Sequence, residues 1–378
     1  MLDYRKLFDC SIPGESVSAW RAEGKKALGV VCCHVPHEIL HAANILPVRL
    51  RATGCEDYAE GEVWMSSFSC SFAKSILQFF IEGRYDLDGL ICSDGCMQAA
   101  RIYDNWKWIS EKPEAKKQFN YEIGVPRKSS PTTKEFYKEE LFDLISEMEK
   151  QSGEKVTDEK LIESIELYNE SRRLVKKVLE LQKEKHPVLT GTEALSLMIS
   201  STNMPVEEYI ELLRAFLADV TNRKPITDYR ARLMLIGSAM DDPNWVKVIE
   251  AKGGLFVADT LCHGTMYFGN EMEYDKSDII GSIADYYLNR LVCPRMIDNR
   301  DALHEYILNT AKEYQVDGLV YQKMQNCECW GGENVFLEGE LKEVGIPLLN
   351  LDREQKMANV GQLEVRAEAF VEMIEKEG

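Results

Sequence analysis

Apolar positions along the chain form short continuous runs, and these runs alternate with stretches of helical periodicity. A run of strand length without polar alternation predicts a β-strand that is buried on both faces of a sheet. Such runs occur in two separate segments of the sequence. The predicted strands are 27–34, 46–53, 88–94 and 119–126 in the first segment, and 231–240, 253–260, 317–324 and 346–353 in the second.

Helical patterns separate the predicted strands in both segments. They cover 71–84 and 97–111 in the first segment, and 245–252, 302–315 and 335–345 in the second. Strands that alternate with helices predict βαβ units, which build a parallel sheet with helices on both faces.

A different composition lies between the two α/β segments. From about Thr133 to Asn222 nearly every residue favours a helix, and Thr157 is a candidate N-cap. The whole pattern predicts an α/β protein with two flavodoxin- or Rossmann-like lobes, each built on a parallel sheet. The predicted limits are 1–130 for lobe one, 131–226 for the helical section that joins the lobes, and 227–378 for lobe two.

The amino-acid composition argues against some classes of partner and indicates the cellular compartment. The net charge of −18 argues against nucleic acid or an anionic membrane as the main partner. The sequence has no apolar run long enough to cross a membrane, and its N-terminus has no secretion signal. We therefore expect a cytosolic protein whose eleven cysteines are reduced thiols. Ligation of a metal or cluster is the leading functional interpretation of some of them, and packing accounts for others.

Three pairs of cysteines have corresponding positions in the two lobes. One pair follows the second predicted strand, one precedes the next long helix and one follows the third strand: Cys55 and Cys262, Cys70 and Cys293, and Cys96 and Cys327. Each third strand also opens with Asp-Gly-Leu. Because ligands of open α/β sheets bind beyond the carboxyl ends of the strands, facing lobes should bring Cys55, Cys96, Cys262 and Cys327 into one cleft.

Thiolates scattered over strand ends favour an iron–sulfur cluster between the lobes over a zinc site. Zinc sites usually contain two tight C-x-x-C knuckles, and the sequence has no such pair. Cys92 lies inside a predicted strand and favours packing, and Cys10 is interpreted as a packed or surface thiol. Of Cys32 and Cys33, at the end of the first strand, one must point into the core. Phosphate-binding glycine loops are absent, so any ATP binds elsewhere.

Residues 37–41 read H-E-I-L-H and match the H-E-x-x-H pattern of zinc hydrolases. His37 and His41 share one face of a helix, and Glu38 would act as a general base beside the metal. However, the predicted helix has little more than two turns, and no third ligand follows at a characteristic spacing. We therefore favour a short structural helix packed on the sheet, and a zinc hydrolase is the remote alternative.

Several segments together carry a family resemblance over nearly the whole chain. They are PHEILHAANILPV, FSCSFAKS, DGCMQAARIYDNW, LYNESRR, YQVDGLVYQKMQNCECW, GIPLLNLDRE and VGQLEVRAEAFVEMI. These segments resemble the subunits of ATP-dependent 2-hydroxyacyl-CoA dehydratases and benzoyl-CoA reductases, with the related double-cubane cluster proteins. The resemblance implies a [4Fe–4S] cluster held by three cysteines, which by motif are Cys70, Cys96 and Cys327.

The double-cubane branch of this family is the one that the chain resembles most. Its proteins use six cysteines to hold two cubanes joined by a bridging sulfide. The additional ligands resemble Cys262 and Cys293, and Cys329 is the candidate for the sixth. Ordinary dehydratase subunits lack these three cysteines, so their presence favours the double-cubane type.

The resemblance also implies an activity and a set of partners. A separate homodimeric activator with its own iron–sulfur cluster hydrolyses ATP and supplies low-potential electrons, and the double-cubane protein, a homodimer, reduces a small substrate. The implied enzyme is sensitive to oxygen. One alternative is a [4Fe–4S] subunit of a heterodimeric dehydratase or reductase that acts on an acyl-CoA. Another is an electron-transfer or scaffold subunit with one cluster or none. No residue stands out as a catalytic acid or base.

Overall fold

The computed structural model describes residues 2–290 and 293–377 and contains two four-stranded parallel sheets in this part of the chain. All of the predicted strands are confirmed, with ends that differ by a few residues. The strands are β1 Ala27–Val31, β2 Leu46–Arg49, β3 Gly89–Ser93, β4 Phe119–Ile123, β5 Ala231–Gly237, β6 Gly254–Thr260, β7 Gly318–Met324 and β8 Leu348–Arg353.

The two sheets have the same topology. Their strand orders are β2-β1-β3-β4 and β6-β5-β7-β8, so each lobe begins with a strand that becomes central. Every residue of β1, β3 and β5 is buried, as expected of parallel strands covered by helices on both faces. The chain changes direction across the sheet between β1 and β3, and again between β5 and β7, which are the positions where such sheets bind ligands.

Helices connect the strands and fill the region between the lobes. The α-helices are α1 Glu15–Ala22, α2 His37–Ala42, α3 Ala59–Val63, α4 Ser71–Ile81, α5 Met97–Ser110, α6 Pro131–Ser152, α7 Asp158–Glu180, α8 Gly191–Ser200, α9 Val206–Asp219, α10 Pro243–Glu250, α11 Thr265–Phe268, α12 Ile279–Asn289, α13 Arg300–Glu313, α14 Glu328–Glu343 and α15 Val360–Glu377. Short 3-10 helices cover Tyr4–Phe8, Leu181–Lys183, Ser201–Asn203 and Val220–Asn222. Within the described residues, no helix is both long enough and apolar enough to cross a membrane.

The helical section contains α6 to α9, and its local signals agree with the sequence. Helix α6 begins with a capping box between Ser130 and Thr133 and ends at Gly153, whose φ of 76° suits glycine. The Thr157 side chain accepts a hydrogen bond from the Lys160 N–H at the start of α7, which confirms the predicted N-cap. These caps explain why one long helical pattern divides into separate helices.

One helix from the second half of the chain packs on the first lobe. Helix α12 lies against α6, and its Ile283 and Tyr287 share a buried core with Leu28 of β1 and Leu40 of α2. Hydrophobic periodicity indicates that a helix has an apolar face, but it does not indicate which lobe that face meets. The limits of the three predicted regions remain a prediction.

Candidate metal centre

Three of the predicted cysteines occupy the same position relative to a helix. Cys70, Cys96 and Cys327 are the N-cap residues of α4, α5 and α14, and none of their side chains caps its helix with a hydrogen bond. Cys96 lies three residues beyond the end of β3, and Cys327 lies three residues beyond the end of β7. The correspondence predicted between these two cysteines therefore reflects equivalent places in the two sheets.

The environment of Cys70 and Cys96 favours the protonated form of each thiol when no cation is bound. Burial raises the pKa of Cys70 to about 12, and the neighbouring Cys327 and Cys96 add to this rise. Burial likewise raises the pKa of Cys96 to about 11. Backbone N–H groups in the first turns of α4 and α5 lower these pKa values, because they stabilise the negatively charged thiolate. A cation bound here would release protons from the thiols.

The other predicted cysteines lie close to these three. Burial raises the pKa of Cys262, Cys293 and Cys329, for Cys329 to about 12. Neighbouring thiols raise these pKa values further, and Cys327 is among the thiols that raise the pKa of Cys262. We call the following residues the cysteine group: Cys32, Cys70, Cys96, Cys262, Cys293, Cys327 and Cys329. The structure thus brings together all six cysteines that the family resemblance singled out.

Cys32 is the member of the cysteine group that the sequence did not single out. It follows β1 directly, has a φ of 76° and is half-buried. Its Sγ lies 3.4 Å from Nδ1 of His34, and the ligand atoms of Cys32, Cys33 and His34 all lie within 4.8 Å of one another. Cys33 is the cysteine that points into packing, with 3% of its surface exposed. The sequence feature that could have identified Cys32 as a candidate ligand is its position at the carboxyl end of a central strand.

Cys55 packs on the same core of lobe one as Cys70, and its place in the predicted cleft stays a prediction. Its thiol is buried against lobe one and lies 3.1 Å from the carbonyl oxygen of Asp57. Cys262 follows the end of β6 by two residues, whereas Cys55 follows the end of β2 by six. Cys92 is fully buried, as expected of a packed thiol.

Arginine side chains hold the loops that carry the cysteine group. Arg49 donates to the carbonyl oxygen of Cys262, and Arg290 donates to that of Cys33 at 2.8 Å. Burial by itself lowers the pKa of Arg49, but the neighbouring Cys262, Cys33 and Cys32 outweigh burial and raise it. Positive charge beside the thiols stabilises a site that becomes negative when thiolates form.

The loop of Cys262 is built around a buried carboxylate. Asp259 Oδ1 accepts hydrogen bonds from the backbone N–H groups of Leu261 and Thr265 at 2.8 and 2.9 Å. Gly264 makes this turn possible, because a Cβ at that position would lie 2.3 Å from Asp259 Oδ1. The turn fixes the direction in which Cys262 leaves β6.

Comparison with known proteins identifies the family. The family model described as HGD-D, 2-hydroxyglutaryl-CoA dehydratase, D-component, matches residues 32–374. The chain belongs to this family.

Curated relatives in the 2-hydroxyglutaryl-CoA dehydratase D-component family align over nearly their full length. The chain is 25% identical to the (R)-phenyllactyl-CoA dehydratase beta subunit of Clostridium sporogenes, over 93% of this chain and 92% of that protein. It is 23% identical to a benzoyl-CoA reductase subunit of Thauera aromatica, over 93% and 91%. It is 22% identical to the (R)-2-hydroxyglutaryl-CoA dehydratase subunit beta of Acidaminococcus fermentans, over 96% of each chain. The predicted resemblance is confirmed, and the chain is an enzyme component of this type.

The cysteine group suits the iron–sulfur cluster that the family resemblance implies. Such clusters are held by cysteine thiolates, and the cysteine group offers one buried and six half-buried thiols from several loops. Three of these thiols lie at the N-terminal ends of α4, α5 and α14, where the helix dipole favours negative charge. The side-chain chemistry and the local electrostatics of the cysteine group therefore both fit an iron–sulfur cluster.

The H-E-x-x-H segment of this dehydratase-family chain is structural. His37 Nδ1 lies 2.6 Å from the hydroxyl of Tyr267, and His41 Nδ1 lies 2.7 Å from the hydroxyl of Ser164. Glu38 is fully buried and accepts hydrogen bonds from Arg172 and Tyr287. Since these side chains have three different sets of partners, they do not converge on one point. The favoured interpretation as a short packed helix is confirmed.

The Asp259 turn gives a pH-dependent prediction. Burial raises the pKa of Asp259 from 3.8 to about 6, although its hydrogen bonds oppose the rise. The neutral acid is therefore favoured in the folded state, and this contribution to stability is present below about pH 4 and lost as the pH rises through 6. Asp259→Asn keeps an oxygen acceptor and removes the charge. The variant should gain about 3 kcal/mol relative to the wild type between pH 4 and pH 7.

Urea unfolding of both proteins across this pH range measures the gain. Asp301→Asn, at an exposed position of α13, is the matched control and should show a constant difference from the wild type. A pH-independent difference for Asp259→Asn would contradict the prediction.

Proposed function

We propose that the chain is an oxygen-sensitive iron–sulfur reductase component that receives low-potential electrons from a separate ATP-hydrolysing activator and reduces a small substrate. The observation that carries this proposal is the cysteine group. It contains more convergent thiols than the three that a single [4Fe–4S] cluster requires by resemblance, which supports a double-cubane [8Fe–9S]-type cluster. A cytosolic homodimer is part of the proposal.

Specific residues have specific roles in this proposal. Cys70, Cys96 and Cys327 would hold one cubane, and Cys262 and Cys293 would hold part of the second. The sequence assigns the sixth place to Cys329. An iron–sulfur cluster supplies one-electron transfer at a potential that its charge, hydrogen bonds and exposure determine.

The surrounding residues act on the ligands. His34 and His263 each place Nδ1 near a thiol of the cysteine group, at 3.4 Å from Cys32 and 3.6 Å from Cys262. Contacts of this kind tune the basicity of a ligand and fix its orientation. Both histidines are buried, with 0% and 4% of their surfaces exposed, and thus exclude water from this side of the thiols.

A second candidate function follows from the names of the relatives. They are subunits of dehydratases that act on phenyllactyl-CoA and 2-hydroxyglutaryl-CoA, and of a benzoyl-CoA reductase. By this alternative the chain is a [4Fe–4S] subunit that works with a different subunit on an acyl-CoA, and only Cys70, Cys96 and Cys327 are ligands.

Iron and acid-labile sulfide determination on anaerobically purified protein separates the two candidates. A double cubane gives about eight irons per chain and a single cubane gives about four, because each cubane contains four irons. Zinc without iron would contradict both candidates.

Substitution of the second set of cysteines sharpens this measurement. Cys262→Ser and Cys293→Ser should each reduce the iron content from about eight to about four per chain. Cys10→Ser is the matched control, since Cys10 packs against the core of lobe two, and it should keep the full iron content. Full iron in both Cys262→Ser and Cys293→Ser would reject these two residues as ligands.

A further inference from the structure

Six members of the cysteine group form two sets of three, and the members of each set pack on the same part of the hydrophobic core. Cys70, Cys96 and Cys327 pack on the core of lobe one, and Cys32, Cys262 and Cys293 pack on the core that includes α8, α9 and α11. Two sets of three thiols therefore pack on two different parts of the core.

The place of Cys32 in the sheet is that of a ligand-binding residue. It follows the central strand β1, whose Val31 pairs with Cys92 of β3, and it lies at the point where the strand order reverses. The loop after β3 passes directly over it, since a Cβ on Gly95 would lie 3.0 Å from Cys32 Sγ. Gly95 immediately precedes Cys96. The backbone thus brings Cys32 beside a residue of the first set.

Cys329 packs on a different part of the core from Cys32. It is the second residue of α14 and packs on the core of lobe two, which Cys327 contacts as well as the core of lobe one, and not on the core that Cys262 and Cys293 share. The packing therefore joins Cys329 to the first set and Cys32 to the second.

We propose that Cys32 is the third thiolate ligand of the second set, together with Cys262 and Cys293, and that Cys329 is not required. This inference rests on the proposed iron–sulfur function. Each thiol would lose one proton to solvent as its sulfur–iron bond forms, and no electron is transferred in that step. The left-handed backbone of Cys32 is retained at a cost of about 1–2 kcal/mol, which a ligand role would explain.

The test compares iron and sulfide content in the wild type, Cys32→Ser, Cys32→Gly and Cys329→Ser, all purified anaerobically. Cys32→Gly is included because glycine adopts a φ of 76° without strain, so this variant should fold even if Cys32→Ser does not. Both Cys32 variants should lose about half of the iron, and Cys329→Ser should keep all of it.

Alkylation gives a readout that does not depend on iron counting. In wild-type protein treated with iodoacetamide, mass spectrometry should find Cys32 unmodified before iron is chelated and modified after chelation. Cys329 should show the same modification in both states.

The outcomes separate this inference from the function on which it rests. About four irons in the wild type would reject the second set and Cys32 with it. Eight irons in the wild type and a folded Cys32→Gly that keeps them all would overturn the assignment of Cys32 alone.

Discussion

Glu38→Ala should lower the free energy of unfolding by about 3–5 kcal/mol, because it leaves a buried arginine without its counter-charge. Arg172 lies 2.5 Å from Glu38 Oε1, and their side chains are 5% and 0% exposed. Burial raises the pKa of Glu38, but Arg172 and the Tyr287 hydroxyl outweigh burial and lower it. The pair is therefore ionised, and breaking it strands one charge in the core.

A double substitution separates the ion pair from the packing. Glu38→Met combined with Arg172→Met removes both charges and should recover most of the lost stability, since apolar replacements of a buried pair are often tolerated. Glu163→Ala, at an exposed position of α7, is the control and should change stability by less than about 0.5 kcal/mol.

Urea unfolding under anaerobic conditions provides the measurement. A loss below about 1 kcal/mol for Glu38→Ala would show that this pair behaves as a surface ion pair. The result also bears on the H-E-x-x-H segment, because a large loss is the signature of a structural role for Glu38.

Arg295→Met should both destabilise the protein and reduce its iron content. The Arg295 guanidinium donates to the carbonyl oxygens of Gly95, Val125 and Pro126 at 2.7, 2.8 and 3.1 Å. It thereby ties the segment after Cys293 to the loop that precedes Cys96. Methionine fills a similar volume but leaves these acceptors without a donor.

The expected size follows from the number of bonds lost. Each buried acceptor without a partner costs about 1–3 kcal/mol, so the loss of three should lower the free energy of unfolding by about 3–9 kcal/mol. Iron content should fall as well, since both Cys96 and Cys293 lose their fixed positions. Anaerobic urea unfolding and iron determination on the same preparation measure the two effects.

Two further variants make the Arg295 prediction specific. Arg127→Met, at an exposed position of the same loop that carries Val125, should leave stability and iron unchanged. Arg295→Lys keeps the charge but replaces the planar fork with a single ammonium group, so it should recover only part of the loss. Wild-type stability in Arg295→Met would show that water replaces the guanidinium at all three carbonyls.

The sequence determined the parts of this protein that depend on local pattern. Continuous apolar runs predicted the strands because a doubly covered strand has no polar face, and the spacing of Cys96 and Cys327 after their strands predicted their equivalence. The same local logic identified Thr157 as the cap of α7. It also favoured a packed helix for residues 37–42, because a short amphipathic pattern beside a strand is typical of βα units.

Tertiary structure decided what depends on loop length and on contacts between distant segments. The place of Cys262 in the cysteine group depends on the path of the loop after β6, and the hydrophobic pattern contains no information about that path. The return of α12 to lobe one and the proximity of Cys32 to Cys262 and Cys293 depend on how the two lobes pack. Such packing is set by the complementarity of whole surfaces, which no local window of sequence describes.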